Sequence, residues 1–389
     1  MLGVHAAGLL AVYAVLLWKA QQAGGWLVDR HGAPARVDFV EFWGAGRLAL
    51  EGRAAAAYDW NAVRALLPNS DAFAHVSYPF FYPPIAFLLV APMAAVPFAV
   101  SAAIWVVSGY AAYLAAVRAI TRDRTWLLLA AATPAAFCCI SVGQNGLVTA
   151  ALLGGALALL DRRPLVAGLL IGAMAYKPHF ALLAPFALAA SGRWRTFAAA
   201  AATALALAIL SGALFGWGSW VAFLHGLTGG QGVPAVSTLE PAKLQSIYGL
   251  VRAAGGADGL AWSAQGLCAL MAAGFVVAHW RSREPQALKS AGLIAATLLA
   301  TPYACIYDLP IAGVGVSLIL TSTDRRRFAA VEWSALAAAY ALPLVFFFRP
   351  APCGPLIGLL MLAVAAGPWL ASRLGLHAWV EVESRPVRP

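Results

Sequence analysis

The run Arg162-Arg163-Pro164-Leu165-Val166-Ala167-Gly168-Leu169-Leu170-Ile171-Gly172-Ala173-Met174-Ala175-Tyr176-Lys177-Pro178-His179 decides how this chain folds. It leaves a basic pair, stays apolar for little more than three helical turns, and stops at a lysine and a proline. From Phe180 the sequence is apolar again until it meets Arg193 and Arg195. Arginine pairs flanking an apolar hairpin mark the cytoplasmic side of a membrane, because short loops rich in Lys and Arg are retained there. Each arm, a helix of about twelve residues, covers only about 18 Å, less than the hydrocarbon core of about 30 Å. The hairpin therefore ends inside the protein. Lys177 is expected in a water-accessible cavity below the outer surface, where an ammonium costs about 2.5–3.5 kcal/mol unless it serves a purpose.

The rest of the chain repeats this grammar. Of its 389 residues, 62% are hydrophobic and 11% charged, with a mean hydropathy of +0.78. Soluble domains carry about 25% charged residues, so a soluble globular protein is excluded. Long unbroken apolar runs exclude a β-barrel. The fold class is an all-α polytopic membrane protein. Crossings are predicted at 2–20, 97–119, 125–140, 146–160, 164–176, 179–191, 196–216, 258–281, 287–302, 308–321, 328–348 and 354–373, about twelve transmembrane helices (range 10–13). The stretch 83–95, bounded by Pro83-Pro84 and Pro97, is too short for a crossing and is expected as a re-entrant or interfacial half-helix.

Charge sets the orientation. Arg118, Arg122 and Arg124, then Arg162 and Arg163, Arg193 and Arg195, Arg281, Arg283 and Lys289, and Arg325, Arg326 and Arg327 occupy one set of loops. The opposite tips, Ser141 to Asn145 and Tyr303 to Asp308, carry neither Lys nor Arg. That puts the basic loops and both termini in the cytoplasm of a multi-pass inner-membrane protein. Two long loops, 21–80 and 217–257, then face outward from a single transmembrane domain, 1–389. The formal charge of +10 belongs to these loops and not to a nucleic-acid surface. Residues 1–20 lack a basic leader and read as an uncleaved span. Cys138, Cys139, Cys268, Cys305 and Cys353 are odd in number, lie mostly in apolar runs and read as packing residues. No internal repeat of the transporter kind is visible.

The first long loop contains Val37-Asp38-Phe39-Val40-Glu41-Phe42-Trp43. At helical spacing Asp38 and Glu41 share one face of an interfacial helix, and Phe39, Phe42 and Trp43 the other. Asp38 suits a general base towards an acceptor hydroxyl. An equally physical reading makes it an N-cap, with Glu41 completing a capping box. A metal site from the pair has no further ligands nearby in sequence. Lys177, beside His179, suits an anion such as a phosphate. The hairpin 125–160 ends in Gly143-Gln144-Asn145-Gly146, where turn chemistry accounts for Asn145-Gly146 but not for Gln144. Tyr307-Asp308 ends another span, and Asp308 could simply cap the helix that follows. Lys243-Leu244-Gln245-Ser246-Ile247-Tyr248 reads as a helix start near the same surface, while His225 and Glu240 carry no signal. His5, His279 and His377 are expected at the interface or in the bundle. No phosphate loop, nucleophile elbow or HExxH helix occurs. Chemistry, if any, faces outward and uses a substrate supplied in the membrane.

The order Val37-Asp38-Phe39, Gly52, Tyr58-Asp59, Tyr82-Pro83-Pro84, Pro92 and Pro97, Gly143-Gln144-Asn145, Ala167-Gly168, Lys177-Pro178, Gln245-Ser246, Tyr248-Gly249, Pro302-Tyr303 and Tyr307-Asp308 resembles the family 87 glycosyltransferases of the GT-C superfamily. The likeness spans about residues 36–320. It implies a GT-C-like fold and transfer of a sugar, mannose or a pentose such as arabinofuranose, from a polyprenyl-phosphate donor to a lipid or glycan acceptor. Asp38 would be the catalytic base of an inverting reaction, and Lys177 with His179 would hold the donor phosphate. Glu41, Tyr82, Gln144, Asn145, Gln245, Tyr307 and Asp308 would contact substrate. No cofactor is required by such a reaction, although a divalent metal stays open. The rival readings are a transporter or flippase of lipid-linked precursors, a scaffold in envelope assembly, and an enzyme moving a phospho or acyl group.

Overall fold

Inside lipid every backbone N–H and C=O must be satisfied within the chain, which leaves helices as the regular structure for apolar runs of this length. The computed structural model describes residues 2–228, 240–322 and 328–373; Arg325–Arg327, His377 and residues 229–239 of the second long loop lie outside them. Among the described residues there are α-helices, short 3-10 turns and isolated β-bridges, and no strands. The chain is an all-α polytopic membrane protein.

Its helices fall into two classes. Leu2–Gln22, Phe98–Ile120, Trp194–Phe215, Asp258–Trp280 and Ala330–Phe348 are long and apolar enough to cross a membrane. They bear exposed side chains such as Leu205, Leu214, Leu267 and Leu270, an apolar surface suited to lipid. The second class is shorter: Gly146–Leu159, Pro164–Tyr176, Pro178–Ala190, Gln286–Ala300, Ile306–Leu320 and Gly354–Gly367. Gln286–Ala300 and Pro310–Leu320 are buried along most of their length and form the centre of the bundle. Helix lies along each predicted crossing, but among the described residues five helices, or six with the bent pair Arg124–Ala131 and Pro134–Val142, are long and apolar enough to cross by themselves. The range 125–140 differs in being broken: Arg124–Ala131 and Pro134–Val142 meet at 41°, because Pro134 cannot continue the preceding helix.

Small residues let these helices approach. A side chain on Gly168 would collide with Ala199 and the Thr196 carbonyl, and one on Gly172 with Thr203 and the Ala200 carbonyl. This pair, one turn apart, brings Pro164–Ala173 against Trp194–Phe215 as small-xxx-small motifs do in membranes.

The half-helix is Pro84–Ala86 continuing as Phe87–Ala94, with Pro92 inside it. It packs on Phe39–Leu50, where Gly46 leaves no room for a side chain against the Val90 carbonyl. Phe39–Leu50 itself corrects the expectation of an interfacial helix, since Phe39, Val40, Glu41 and Phe42 are all buried. The reason is aromatic enclosure. Phe39 packs against Phe98 and Trp105, and Phe42 against Phe80, Tyr82 and Trp105, so both faces of the helix lie within protein.

Candidate active site

Three polar helix breaks and one loop helix converge, and glycine makes the convergence possible. Gly143, at φ +71°, ends Pro134–Val142 in the left-handed conformation that glycine adopts without a steric penalty. A Cβ there would press on Phe39, and a Cβ on Gly146 would run into the Tyr307 carbonyl. The tip Gly143-Gln144-Asn145-Gly146 is therefore wedged between the start of Phe39–Leu50 and the turn Ile306–Asp308. Trp105 Nε1 pins it by donating to the Gly143 carbonyl (3.1 Å).

Gln144 is 5% exposed and fully engaged. Its Nε2 donates to Asp38 Oδ2 (3.1 Å) and to Glu41 Oε1 (2.9 Å). Its Oε1 accepts from the Tyr82 hydroxyl (3.3 Å) and from the Asn145 N–H (3.2 Å). Asp38 has helical backbone angles, and its side chain makes no capping hydrogen bond, so the N-cap and capping-box alternative is corrected. Its partner is Gln144, far away in sequence. Burial raises the Asp38 carboxyl to about 6, opposed by the Gln144 hydrogen bond and the Lys243 charge. Burial also drives the Glu41 carboxyl well above the usual range, and the neighbouring Asp38 charge adds to the effect.

The second half of the site is built on Lys177. Its Nζ donates to Asp308 Oδ1 (2.5 Å) and Asn145 Oδ1 (2.8 Å). Both members of the ion pair are almost sealed, at 4% and 1% side-chain exposure. The rings of Tyr82, Phe180 and Tyr307 surround the ammonium with centroids 5.3–5.8 Å away. Asp308 Oδ2 accepts the Cys305 N–H (3.1 Å), closing a box within the turn Ile306–Asp308. The simple cap for the next helix, allowed by the sequence, is thus corrected: Asp308 stabilises its own turn and Lys177.

Lys177, His179, Tyr307, Asp308 and Tyr82 line a cavity of ≈ 310 Å³, walled also by Tyr58, Phe80, Tyr176, Phe223 and Tyr303. His179 packs beside Tyr303, with centroids 5.8 Å apart, and its buried Nε2 has no hydrogen-bond partner among the described residues. The two halves touch through adjacent residues: Gln144 holds Asp38, Asn145 holds Lys177, and Tyr82 contacts both. Gln245 stands apart. Its Oε1 accepts from the Cys353 and Gly354 N–H groups (2.8 and 2.9 Å), capping the helix Gly354–Arg373, and it does not line the cavity. The helix expected after Lys243 is Ile247–Ala253, with Ser246 as its N-cap.

Two participants were not singled out in the sequence: the Tyr176 hydroxyl meets Thr149 Oγ1 (2.6 Å). Tyr58, of the Tyr58-Asp59 pair, donates its hydroxyl to the Tyr82 carbonyl (2.9 Å). Tyr176 directly precedes Lys177, and Thr149 lies one helical turn beyond Asn145, which was the signal available. Among the described residues, no group of three or more His, Cys, Asp and Glu is gathered for a metal ion. The five cysteines are unpaired, four of them buried.

An all-α membrane fold with an acid pair and an ammonium gathered at the helix tips defines a class, the polytopic membrane proteins that carry a polar site at the ends of short helices. The particular family follows from comparison: residues 80–302, more than half the chain, match glycosyltransferase family 87, and the chain belongs to that family. It is a membrane glycosyltransferase. No curated protein and no solved structure matches it. The matched segment contains Tyr82, Gln144, Asn145, Lys177, His179 and Gln245; Asp38, Glu41, Tyr307 and Asp308 lie outside it and join the site through the contacts above.

Proposed function

We propose that the protein transfers a single sugar, mannose or a pentose such as arabinofuranose, from a polyprenyl-phosphate donor to a hydroxyl of a lipid or glycan acceptor on the outer face of the cytoplasmic membrane. One observation carries this reading: a half-buried carboxylate, Asp38, is joined through Gln144 to Tyr82 on the wall of an aromatic-lined cavity whose only lining ammonium is Lys177 among the described residues. Aromatic rings suit the apolar faces of a sugar, and the long prenyl chain stays in the bilayer, where each buried methylene contributes about 0.8 kcal/mol. The acceptor hydroxyl attacks the anomeric carbon as the bond to the phosphate oxygen breaks. Its proton passes to Asp38, and the polyprenyl phosphate departs as an anion with inversion at carbon.

Asp38 is tuned for this task. With its carboxyl held at about 6, it is ionised at neutral pH yet more basic than an ordinary aspartate. A positioned base of this kind contributes about 10²–10⁴-fold. Lys177 uses two of its three donors on Asn145 and Asp308. The third is available to the leaving phosphate, with His179 at the same wall. Because Asp308 already offsets the ammonium charge, Lys177 acts on the phosphate mainly as a hydrogen-bond donor.

The test is direct. Purified protein in detergent, given polyprenyl-phosphate mannose or polyprenyl-phosphate arabinofuranose with a membrane glycolipid extract, should form a new glycosidic product. Asp38→Asn should remain folded and form it about 10²–10⁴-fold more slowly. Turnover by Asp38→Asn at the parent rate would refute the base assignment. Mass spectrometry of lipid-linked sugars that accumulate without the protein identifies the donor.

A further inference from the structure

We propose that Gln144 is the positioning residue of the transfer reaction: its amide nitrogen holds the Asp38 and Glu41 carboxyl groups in one fork and presents Asp38 Oδ1 to the acceptor hydroxyl. This rests on the glycosyl-transfer reading above. The orientation of the amide is dictated by its other end. Oε1 accepts from both the Tyr82 hydroxyl and the Asn145 N–H, so Nε2 must face the carboxyl groups. A flipped amide would set its oxygen against the Asp38 carboxylate and its nitrogen against the Asn145 N–H, losing both of those hydrogen bonds. The two N–H bonds of one planar nitrogen diverge by about 120°, so each carboxyl group receives one. Asp38 is fixed through Oδ2, which leaves Oδ1 without a hydrogen-bond partner among the described residues.

The fork also sorts the charge. Two carboxylates joined through one neutral amide, with Glu41 buried, cannot both ionise cheaply. Glu41 keeps its proton, and the negative charge resides on Asp38, the more exposed of the two. The other groups that interact electrostatically with Asp38 are Lys243 from the second long loop, Glu41 and Tyr78 from its own loop, Cys138 from Pro134–Val142, and Cys305 and Tyr307 from the turn beside it. Among the described residues none of these other groups makes a side-chain hydrogen bond to Asp38; Gln144 does. Direction therefore comes from the amide, and the surrounding charges set only how tightly Asp38 holds a proton.

Gln144→Met keeps the length and volume of the side chain and removes both donors. The pH dependence of kcat and the donor KM are measured for parent, Gln144→Met, Tyr82→Phe and Asp38→Asn, with thermal unfolding in detergent as a folding control. Expected for Gln144→Met is a fall in kcat of about tenfold or more with little change in donor KM. Its pH midpoint should rise by about one unit, because a donor to the ionised acid is lost. Tyr82→Phe, which frees the amide to rotate, should move both quantities the same way and by less. An unchanged midpoint with unchanged kcat in Gln144→Met overturns the proposal even if stability drops. If Gln144→Met fails to fold, an unchanged midpoint in Tyr82→Phe overturns it instead. Failure of the underlying reaction is separately visible: Asp38→Asn would then turn over like the parent.

Discussion

Asp38 and Asp308 look alike in sequence, each an aspartate where a polar segment meets an apolar helix, yet the fold treats them in opposite ways. Asp38 is half-buried and bound by one amide that it shares with Glu41, and burial raises its proton affinity. Asp308 is fully sealed, bound to an ammonium and a backbone N–H, and has no freedom to exchange partners. The first arrangement leaves a carboxylate available for proton transfer. The second spends its carboxylate on keeping Lys177 charged and in place inside apolar surroundings, where an isolated ammonium is unfavourable. Proximity to a cavity therefore does not make a carboxylate a base; the partners it already holds decide.

The comparison can be broken most easily at Asp38. Asp38→Asn should lower turnover by about 10²–10⁴-fold with the donor still bound, as read by product formation and donor binding in the same detergent preparation. At Asp308 the large effect should be on the fold. Asp308→Ala strands Lys177 and should cost about 3–5 kcal/mol, seen as a lower unfolding temperature, whereas Lys177→Met combined with Asp308→Leu should recover much of that loss. A catalytic collapse in Asp308→Ala without loss of stability would reverse the assignment of roles.

The pH dependence sharpens the contrast. Activity should rise about tenfold between pH 5 and pH 7 as Asp38 loses its proton near 6, and Asp38→Glu should shift that midpoint. Stability runs the other way. The folded protein holds the Asp38 proton more tightly than the ordinary value of 3.8, so its stability falls as the pH rises from about 4 to about 6 and is level above that. Asp38→Asn should then be the more stable protein at pH 8, by about 1–2 kcal/mol after allowance for partial exposure, and the difference should vanish below pH 4. The smallest effect belongs to Gln245. Since it caps a helix away from the cavity, Gln245→Met should leave the donor KM within about twofold while lowering the unfolding temperature.

Much of the scaffold could be read along the chain. Apolar runs too short to span the bilayer, each ending in a polar tip, announced a cavity at the ends of Pro164–Tyr176 and Gly146–Leu159, and Lys177 does line one. The half-helix before Pro97 was legible from its prolines. The enclosed state of Phe39–Leu50 was not, because amphipathic spacing looks the same whether the apolar side meets lipid or Phe98 and Trp105.

Hydropathy, proline and glycine settle the helices and their breaks at the level of the chain, since lipid allows an apolar backbone no other regular form. Partnership is a matter of three dimensions. Gln144 meets Asp38 across 106 residues of sequence and Lys177 meets Asp308 across 131. No local pattern distinguishes a helix cap from one arm of such a fork, because hydrogen bonds and ion pairs depend on distances of a few ångströms that packing alone creates.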